Sequence, residues 1–110
     1  EKKIKSAVTD SDPQARVIYD TEGKAGIANL ITIYSTLTGK SLAEIEKAYE
    51  GKLYGHFKGD LAAIVCDKLK PVQDKYAELM NDRGELERIM AVNRDRAAER
   101  AAITLRRVYD

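Results

Sequence analysis

The chain has 110 residues, about one domain's worth of sequence, and its 44% hydrophobic and 34% charged residues are typical of a folded, helix-rich protein. Its net charge of +1 excludes a strongly basic domain, so any nucleic-acid surface must be a local patch. No apolar run approaches the roughly 20 residues of a membrane span, and the single cysteine, Cys66, excludes an intrachain disulfide. We therefore expect a cytoplasmic protein.

The first predicted element is a short helix at the N-terminus. Ile4, Ala7 and Val8 lie on one side of residues 2–8, with lysines around them. The sequence lacks an initial methionine and begins within this pattern, so we expect a fragment of a longer protein. The next stretch, TDSDPQARVIYDTEGKAG, is rich in Asp, Ser, Gly and Thr and predicts an irregular connection.

Two amphipathic helices are predicted after this connection. In GIANLITIYSTLTG, apolar residues recur at three- and four-residue steps, and Gly39 suits the left-handed conformation that ends such a helix. The segment SLAEIEKAYEG begins with the Ser41-x-x-Glu44 spacing of a capping box. Gly51 is the expected end of this second helix.

The longest helix is predicted from about His56 to Met80, because one face stays apolar over this length. Pro71 predicts a kink or a break in it, since proline has no backbone N–H to donate. A shorter helix is predicted over residues 85–92, with Asn93 as its left-handed cap. In the last predicted helix, four small or apolar residues are expected to pack inward: Ala97, Ala101, Leu105 and Val108. With no convincing β pattern, the sequence predicts an all-α fold, a small bundle of about five helices.

No group of residues indicates an active site. Gly51-x-x-x-Gly55 lacks the spacing and the following Lys-Ser/Thr of a phosphate-binding loop, so we interpret it as a joint between two helices. His56 is the only histidine, with no cysteines or paired carboxylates nearby to complete a metal site. Cys66 is expected to be buried and inert. We therefore expect the chain by itself to have no catalytic residues, no bound metal and no cofactor.

Three arginines of the last helix form a candidate binding surface. Arg96, Arg100 and Arg107 are spaced by four and seven residues, which aligns them along one stripe of a helix. Such a stripe can neutralise phosphates and position nucleic acid without reading bases. The alternative is a solvated face partly paired with Asp95 and Glu99, and the spacing alone favours that alternative.

Six strings of the sequence, in order and with compatible spacing, resemble one known family. They are KKIKSAVTDS, VIYD, GIANLITIYSTLTGKS, YEGKLYGHFKGDLA, KPVQDKYAEL and AITLRRV. Together they resemble the C-terminal part of bacterial tryptophanyl-tRNA synthetases, and the resemblance covers essentially all 110 residues. Among the departures from the family pattern, Lys24-Ala25-Gly26 stands where Lys-Pro-Gly is common, and Leu53 and Asn93 stand where glycine is common.

The resemblance implies a class I aminoacyl-tRNA synthetase that is homodimeric, activates tryptophan with ATP and Mg²⁺, and transfers it to tRNA(Trp). The His-Ile-Gly-His and Lys-Met-Ser-Lys-Ser type signatures of its Rossmann catalytic domain do not occur here. Residues 1–24 would then follow the second signature loop, with three lysines near it, and residues 25–110 would form the helical anticodon-recognition domain. The three lysines are Lys2, Lys3 and Lys5.

The resemblance also favours the arginine stripe as a tRNA contact and adds weaker lysine candidates. The candidate set is Arg96, Arg100, Arg107, Lys58, Lys68 and Lys75. The alternative function is a helical protein-interaction module without an RNA role, because the apolar face of residues 57–79 could dock a partner helix. Apolar surface left exposed in a fragment would also favour self-association.

Overall fold

A computed structural model describes all residues from 1 to 110 and contains five α-helices and no strand, which confirms the predicted all-α fold. The helices are α1 (Lys2–Lys5), α2 (Ala25–Thr38), α3 (Leu42–Ala48), α4 (Tyr54–Asn81) and α5 (Arg83–Tyr109). Residues 6–24 form the irregular connection between α1 and α2. The chain divides into two compact units, Glu1–Pro71 and Val72–Asp110. The predicted division after residue 24 concerns the domain organisation of a longer protein and stays a prediction.

The local signals that end and begin the middle helices are confirmed. Gly39 has a φ of 74°, in the left-handed region, and its N–H donates to the carbonyl of Ser35 at the end of α2. The Ser41 hydroxyl accepts from the backbone N–H of Glu44, and the Glu44 carboxylate accepts from the backbone N–H of Ser41, as a capping box requires. The predicted end of the second helix at Gly51 differs from the structure, in which α3 ends at Ala48. Gly51, with a φ of 73°, lies in the turn between α3 and α4.

The core of the first unit lies where α2, α3 and the start of α4 meet. Its largest fully buried side chains are Ile27, Ile31, Ile45, Phe57 and Leu61.

Three aromatic rings lie within this core. Tyr34 stacks on Phe57 at 5.7 Å between ring centroids, and Tyr49 meets Phe57 edge-on at 5.0 Å. Burial, followed by hydrogen bonding to Tyr34 and Asp60, raises the pKa of Tyr49 far above its ordinary value, so the hydroxyl stays protonated. It donates to the Asp60 carboxylate at 2.7 Å, which gives this polar atom a partner at the edge of the core.

The two long helices are continuous where the sequence predicted interruptions. α4 passes through Pro71, so of the predicted kink or break the break is wrong, and the kink stays a prediction. Pro71 and Asp67 are both exposed, and water can therefore satisfy the Asp67 carbonyl that the proline leaves without a donor. α5 likewise passes through Asn93, which is not left-handed. Asparagine costs a helix interior only about 0.7 kcal/mol relative to alanine, and the good helix formers around Asn93 outweigh this cost.

The second unit contains no buried residue. Only five of its side chains are half-buried: Leu79, Glu85, Leu86, Ile89 and Ala91. The prediction that Ala97, Ala101, Leu105 and Val108 pack inward is therefore wrong, because all four are exposed. Periodicity reveals a helix face of uniform polarity, but it does not show whether another element covers that face.

Cys66 is also exposed, contrary to the sequence prediction. At about 100° per residue it lies roughly 140° around α4 from the fully buried Leu61, and so outside the stripe that faces the core.

Gly26 marks the closest approach between α2 and the N-terminal connection. A Cβ at this position would lie 2.5 Å from the Val8 carbonyl oxygen and 3.2 Å from the Thr9 Cα. Both neighbouring atoms are backbone, so no flexible side chain can move aside. The glycine is thus required by packing, whereas a Cβ at Gly59 in α4 would meet nothing within 4 Å.

We predict opposite effects of alanine at these two helical glycines of the first unit. Gly26→Ala should destabilise the protein by about 1–3 kcal/mol, because the backbone contact must open. Gly59→Ala is the matched control and should stabilise by about 0.5–1 kcal/mol, because alanine is the better helix former in open space. Urea unfolding followed by circular dichroism measures both. Equal effects of the two substitutions would contradict the close approach at Gly26.

Candidate nucleic-acid interface

The candidate interface is the arginine stripe, defined as Arg96, Arg100 and Arg107 of α5. On a helix with 3.6 residues per turn the three positions lie within about 40° of one another and extend over about 16 Å of the axis. All three side chains are exposed, and none takes part in an ion pair. Ile103, with 51% of its surface exposed, lies on the same side of the helix. The stripe is therefore a row of guanidinium groups with an apolar side chain between them.

The acidic residues near the stripe do not neutralise it. Asp95 pairs with Arg94 at 2.8 Å, and Glu99 forms no ion pair with any arginine. The pairing with Asp95 and Glu99 that the alternative interpretation expected is thus not formed. Arg88 provides a contrast on the same helix, because two of its three guanidinium nitrogens, Nε and Nη2, each donate to the Glu85 carboxylate at 2.7 Å. An unpaired guanidinium retains all of its donors for an incoming phosphate.

The candidate lysines lie in different environments. Lys58 is half-buried, and its Nζ donates to the Ala7 carbonyl at 2.8 Å and to the Thr9 hydroxyl at 3.1 Å. Lys68 is exposed and has no ion pair, whereas Lys75 pairs with Glu78 at 2.8 Å. Lys58 is therefore occupied by contacts inside the first unit, and Lys68 is the one lysine of this set with a free ammonium group.

The N-terminal lysines lie on α1. Lys2 and Lys3 are exposed, and Lys5 pairs with Glu1 one helical turn away. Their position relative to a catalytic signature loop stays a prediction.

Sequence reasoning missed a polar cluster centred on Lys24, whose side chain is only 12% exposed. Its Nζ donates to Asp12 Oδ2 at 2.7 Å, to the Tyr54 hydroxyl at 2.8 Å and to Asp10 Oδ2 at 2.9 Å. The Tyr54 hydroxyl donates in turn to Asp10 Oδ1 at 2.8 Å. We call these four residues the Lys24 cluster; they join the N-terminal connection to its last residue, directly before α2, and to the first residue of α4. Their separations of 12 to 44 residues leave no periodic signal in the sequence.

The contacts of the Lys24 cluster favour its charged forms. Hydrogen bonds from Lys24 and from the backbone N–H of Gln14 hold the pKa of Asp12 well below its ordinary value. Burial raises the pKa of Asp10, but hydrogen bonds from Lys24 and Tyr54 outweigh burial, so this pKa is also lowered. Burial likewise lowers the pKa of Lys24, and its hydrogen bonds with Asp12, Tyr54 and Asp10 outweigh that effect and raise it. All three groups are therefore ionised at neutral pH.

The remaining reactive residues do not assemble into a second site. No group of three or more His, Cys, Asp or Glu side chains lies together in a way that could hold a metal ion. This chain therefore offers no donor set for the Mg²⁺ that the resemblance implies. His56 is exposed at the start of α4, as expected for a surface residue. None of the five helices is both long enough and apolar enough to cross a membrane.

The fold and the arginine stripe define an all-helical chain with a local cationic face, and comparison with known proteins identifies its relatives. No family model matches the chain. It is 55% identical to the tryptophan–tRNA ligase of Bacillus anthracis over 101 residues, and 49% identical to that of Leifsonia xyli subsp. xyli over 109 residues. The ligase of Bacillus subtilis (strain 168) is 54% identical over 101 residues.

These matches cover 92–99% of this chain but only 28–32% of each relative. The chain thus spans about a third of the length of the relatives, and it matches a C-terminal part of the tryptophan–tRNA ligase family. The resemblance predicted from the six sequence strings is confirmed.

The Lys24 cluster predicts a dependence of folding stability on acid pH. The pKa values of Asp10 and Asp12 are lower in the folded protein than their ordinary value of 3.8, so their contribution is fully present above that pH. It is lost as the pH falls through the folded-state values, because the unfolded chain binds protons first. Urea unfolding at a series of pH values between 5 and 2 measures the loss. Asp12→Asn should flatten this profile, and an unchanged slope would contradict the ionised cluster.

Proposed function

We propose that this chain is the tRNA-binding C-terminal part of a tryptophan–tRNA ligase. The full-length protein would activate tryptophan with ATP and Mg²⁺ and esterify it to tRNA(Trp), using a catalytic domain that precedes these residues. Residues 25–110 would recognise the anticodon end of the tRNA, and residues 1–24 would follow the catalytic signature loop. The observation that carries the tRNA-binding role is the row of three exposed arginines without ion pairs on α5.

The charge distribution supports this role. The net charge of the chain is only +1, so the protein has no uniformly cationic surface that would attract RNA. The stripe concentrates three positive charges on one face of α5 at distances of about 6 and 10 Å along the axis. Neutralising phosphates at such points positions a nucleic acid without specifying its sequence. Ile103 adds an apolar surface on which a ribose or an unstacked base can pack.

The lysines are assigned lesser roles in this proposal. Lys68 would contact RNA as a free surface charge of the first unit, and Lys75 would first have to leave Glu78. Lys58 would bind tRNA only at the expense of its contacts with residues 7 and 9.

The arginine stripe gives a direct prediction for tRNA binding by the full-length protein. Replacing Arg96, Arg100 and Arg107 with alanine should weaken tRNA(Trp) binding and reduce the slope of log affinity against log salt by about 2 to 3. Filter binding at several salt concentrations measures both quantities. Tryptophan-dependent exchange of pyrophosphate into ATP should stay near the wild-type rate, since it requires no tRNA.

The matched control removes the same charge from other sides of α5, by alanine at Arg88, Arg94 and Arg106. This variant should keep most of the salt slope. An equal loss in both variants would show general electrostatic attraction only, and full affinity in the stripe variant would refute the stripe.

A second role, protein association, is favoured by the exposed apolar residues of the second unit. Val72 and Tyr76 are 64% and 66% exposed, and Leu105 and Val108 are 51% and 71% exposed. Monomeric proteins seldom leave large apolar patches in contact with water. We propose that these residues take part in association with a second copy, consistent with the homodimer that the family resemblance implies.

We therefore predict that the isolated chain self-associates at micromolar concentration. Leu105→Glu together with Val108→Glu should return it to a monomer, because each carboxylate would have to be desolvated in the contact. Sedimentation velocity measures the mass, and Arg94→Glu on the same helix is the control for added negative charge. A wild-type chain that sediments as 12.3 kDa would contradict the proposal.

A further inference from the structure

Residues 7–12 are held in place by two lysines, one directly before α2 and one within α4. Lys24, at the start of α2, binds the carboxylates of Asp10 and Asp12, and Lys58, in α4, binds the Ala7 carbonyl and the Thr9 hydroxyl. The absence of a side chain at Gly26 lets α2 lie directly against the backbone of residues 8 and 9. The segment is thus attached at four consecutive or near-consecutive positions.

The hydrogen bonds of Lys24 indicate that residues 7–12 are held in a single position. An ammonium group has three N–H donors, and here all three have an oxygen acceptor at 2.7–2.9 Å. Its environment is nearly closed to water, so moving any one of the three acceptors would leave a desolvated charge short of a partner. Such clusters add little net stability compared with apolar packing, but they tolerate only one arrangement of the groups that they join.

We propose that Lys24 and Lys58 form a clamp that positions residues 7–12, and through α1 the chain preceding them, for the activation step of the full-length protein. The inference rests on the proposed function, because the preceding part of the relatives would carry the chemistry. In this proposal the two lysines are positioning residues, which act through the residues 7–12 that they bind. Tyr54 supports the clamp, since its hydroxyl bonds to both Lys24 and Asp10.

The test compares clamp variants with a core variant in the full-length protein. Lys24→Met and Lys58→Met should each lower the kcat of tryptophan-dependent pyrophosphate exchange at least tenfold. Lys24→Met, at a residue outside the candidate tRNA surface, should also leave the Kd for tRNA(Trp) within twofold of wild type. Tyr54→Phe, which keeps the ring and removes only the hydroxyl, should lower kcat by about threefold. Lys52→Met is the matched control, because Lys52 is exposed and should leave kcat unchanged.

Ile45→Val controls for stability alone, since Ile45 is fully buried and outside the clamp. Its melting temperature should fall while kcat stays at the wild-type value. Wild-type exchange rates in both lysine variants would overturn the clamp, as would an equal loss of kcat in Ile45→Val.

The outcome also separates the clamp from the proposed function. If the wild-type protein has exchange activity and both lysine variants retain it, the clamp is overturned and the proposed function is not affected. A wild-type protein without exchange activity refutes the proposed function, and the clamp's role with it. The arginine-stripe variant supplies the converse pattern, with weaker tRNA binding and normal exchange.

Discussion

The arrangement of the first unit depends on one nearly buried ammonium group. Removing Lys24 from water carries a desolvation cost, which is offset by three oxygens from the connection and from α4 that converge on its Nζ. No buried side-chain nitrogen or oxygen lacks a hydrogen-bond partner, so this polar cluster is complete. The apolar core beneath it packs α2, α3 and the start of α4, and the cluster determines where the irregular connection lies on those helices.

The two units are stabilised in different ways. The first buries aromatic and aliphatic side chains, which is the usual source of helix stability in water. The second buries none, and its helix α5 relies on local interactions. The Asp82 carboxylate accepts from the Glu85 N–H at the start of α5, and the Glu85 side chain pairs with Arg88 one turn later. From residue 92 onward every side chain of α5 is exposed, so this part of the helix presents arginines on one side and apolar residues on another.

Sequence reasoning succeeded where one residue and its neighbours determine the structure. The left-handed Gly39 and the Ser41–Glu44 capping box depend on atoms within a single turn, and both are confirmed. It failed where the decisive atoms are distant: Lys24 meets Tyr54 across 30 residues, and nothing in the spacing connects them. The continuity of α5 through Asn93 was missed for a different reason. Asparagine tolerates the left-handed conformation better than most residues, but it does not require that conformation. The helix formers around Asn93 therefore decide the local structure. The positions of the arginines followed from helix geometry, but their lack of ion pairs required the structure.

The choice of lysine in the clamp and arginine in the stripe agrees with the chemistry of each group. Three acceptors that surround a single atom suit an ammonium group, whose donors radiate from one nitrogen, whereas a planar guanidinium would separate its donors over several ångströms. For the proposed role of α5 the requirement is reversed, because a phosphate would approach from outside and a planar fork can bind two of its oxygens at once. A Lys24→Arg change would therefore keep the charge but lose the convergence of three bonds on one centre. The same reasoning explains why Lys58, which bonds two oxygens of one short segment, serves the clamp better than it would serve a nucleic-acid surface.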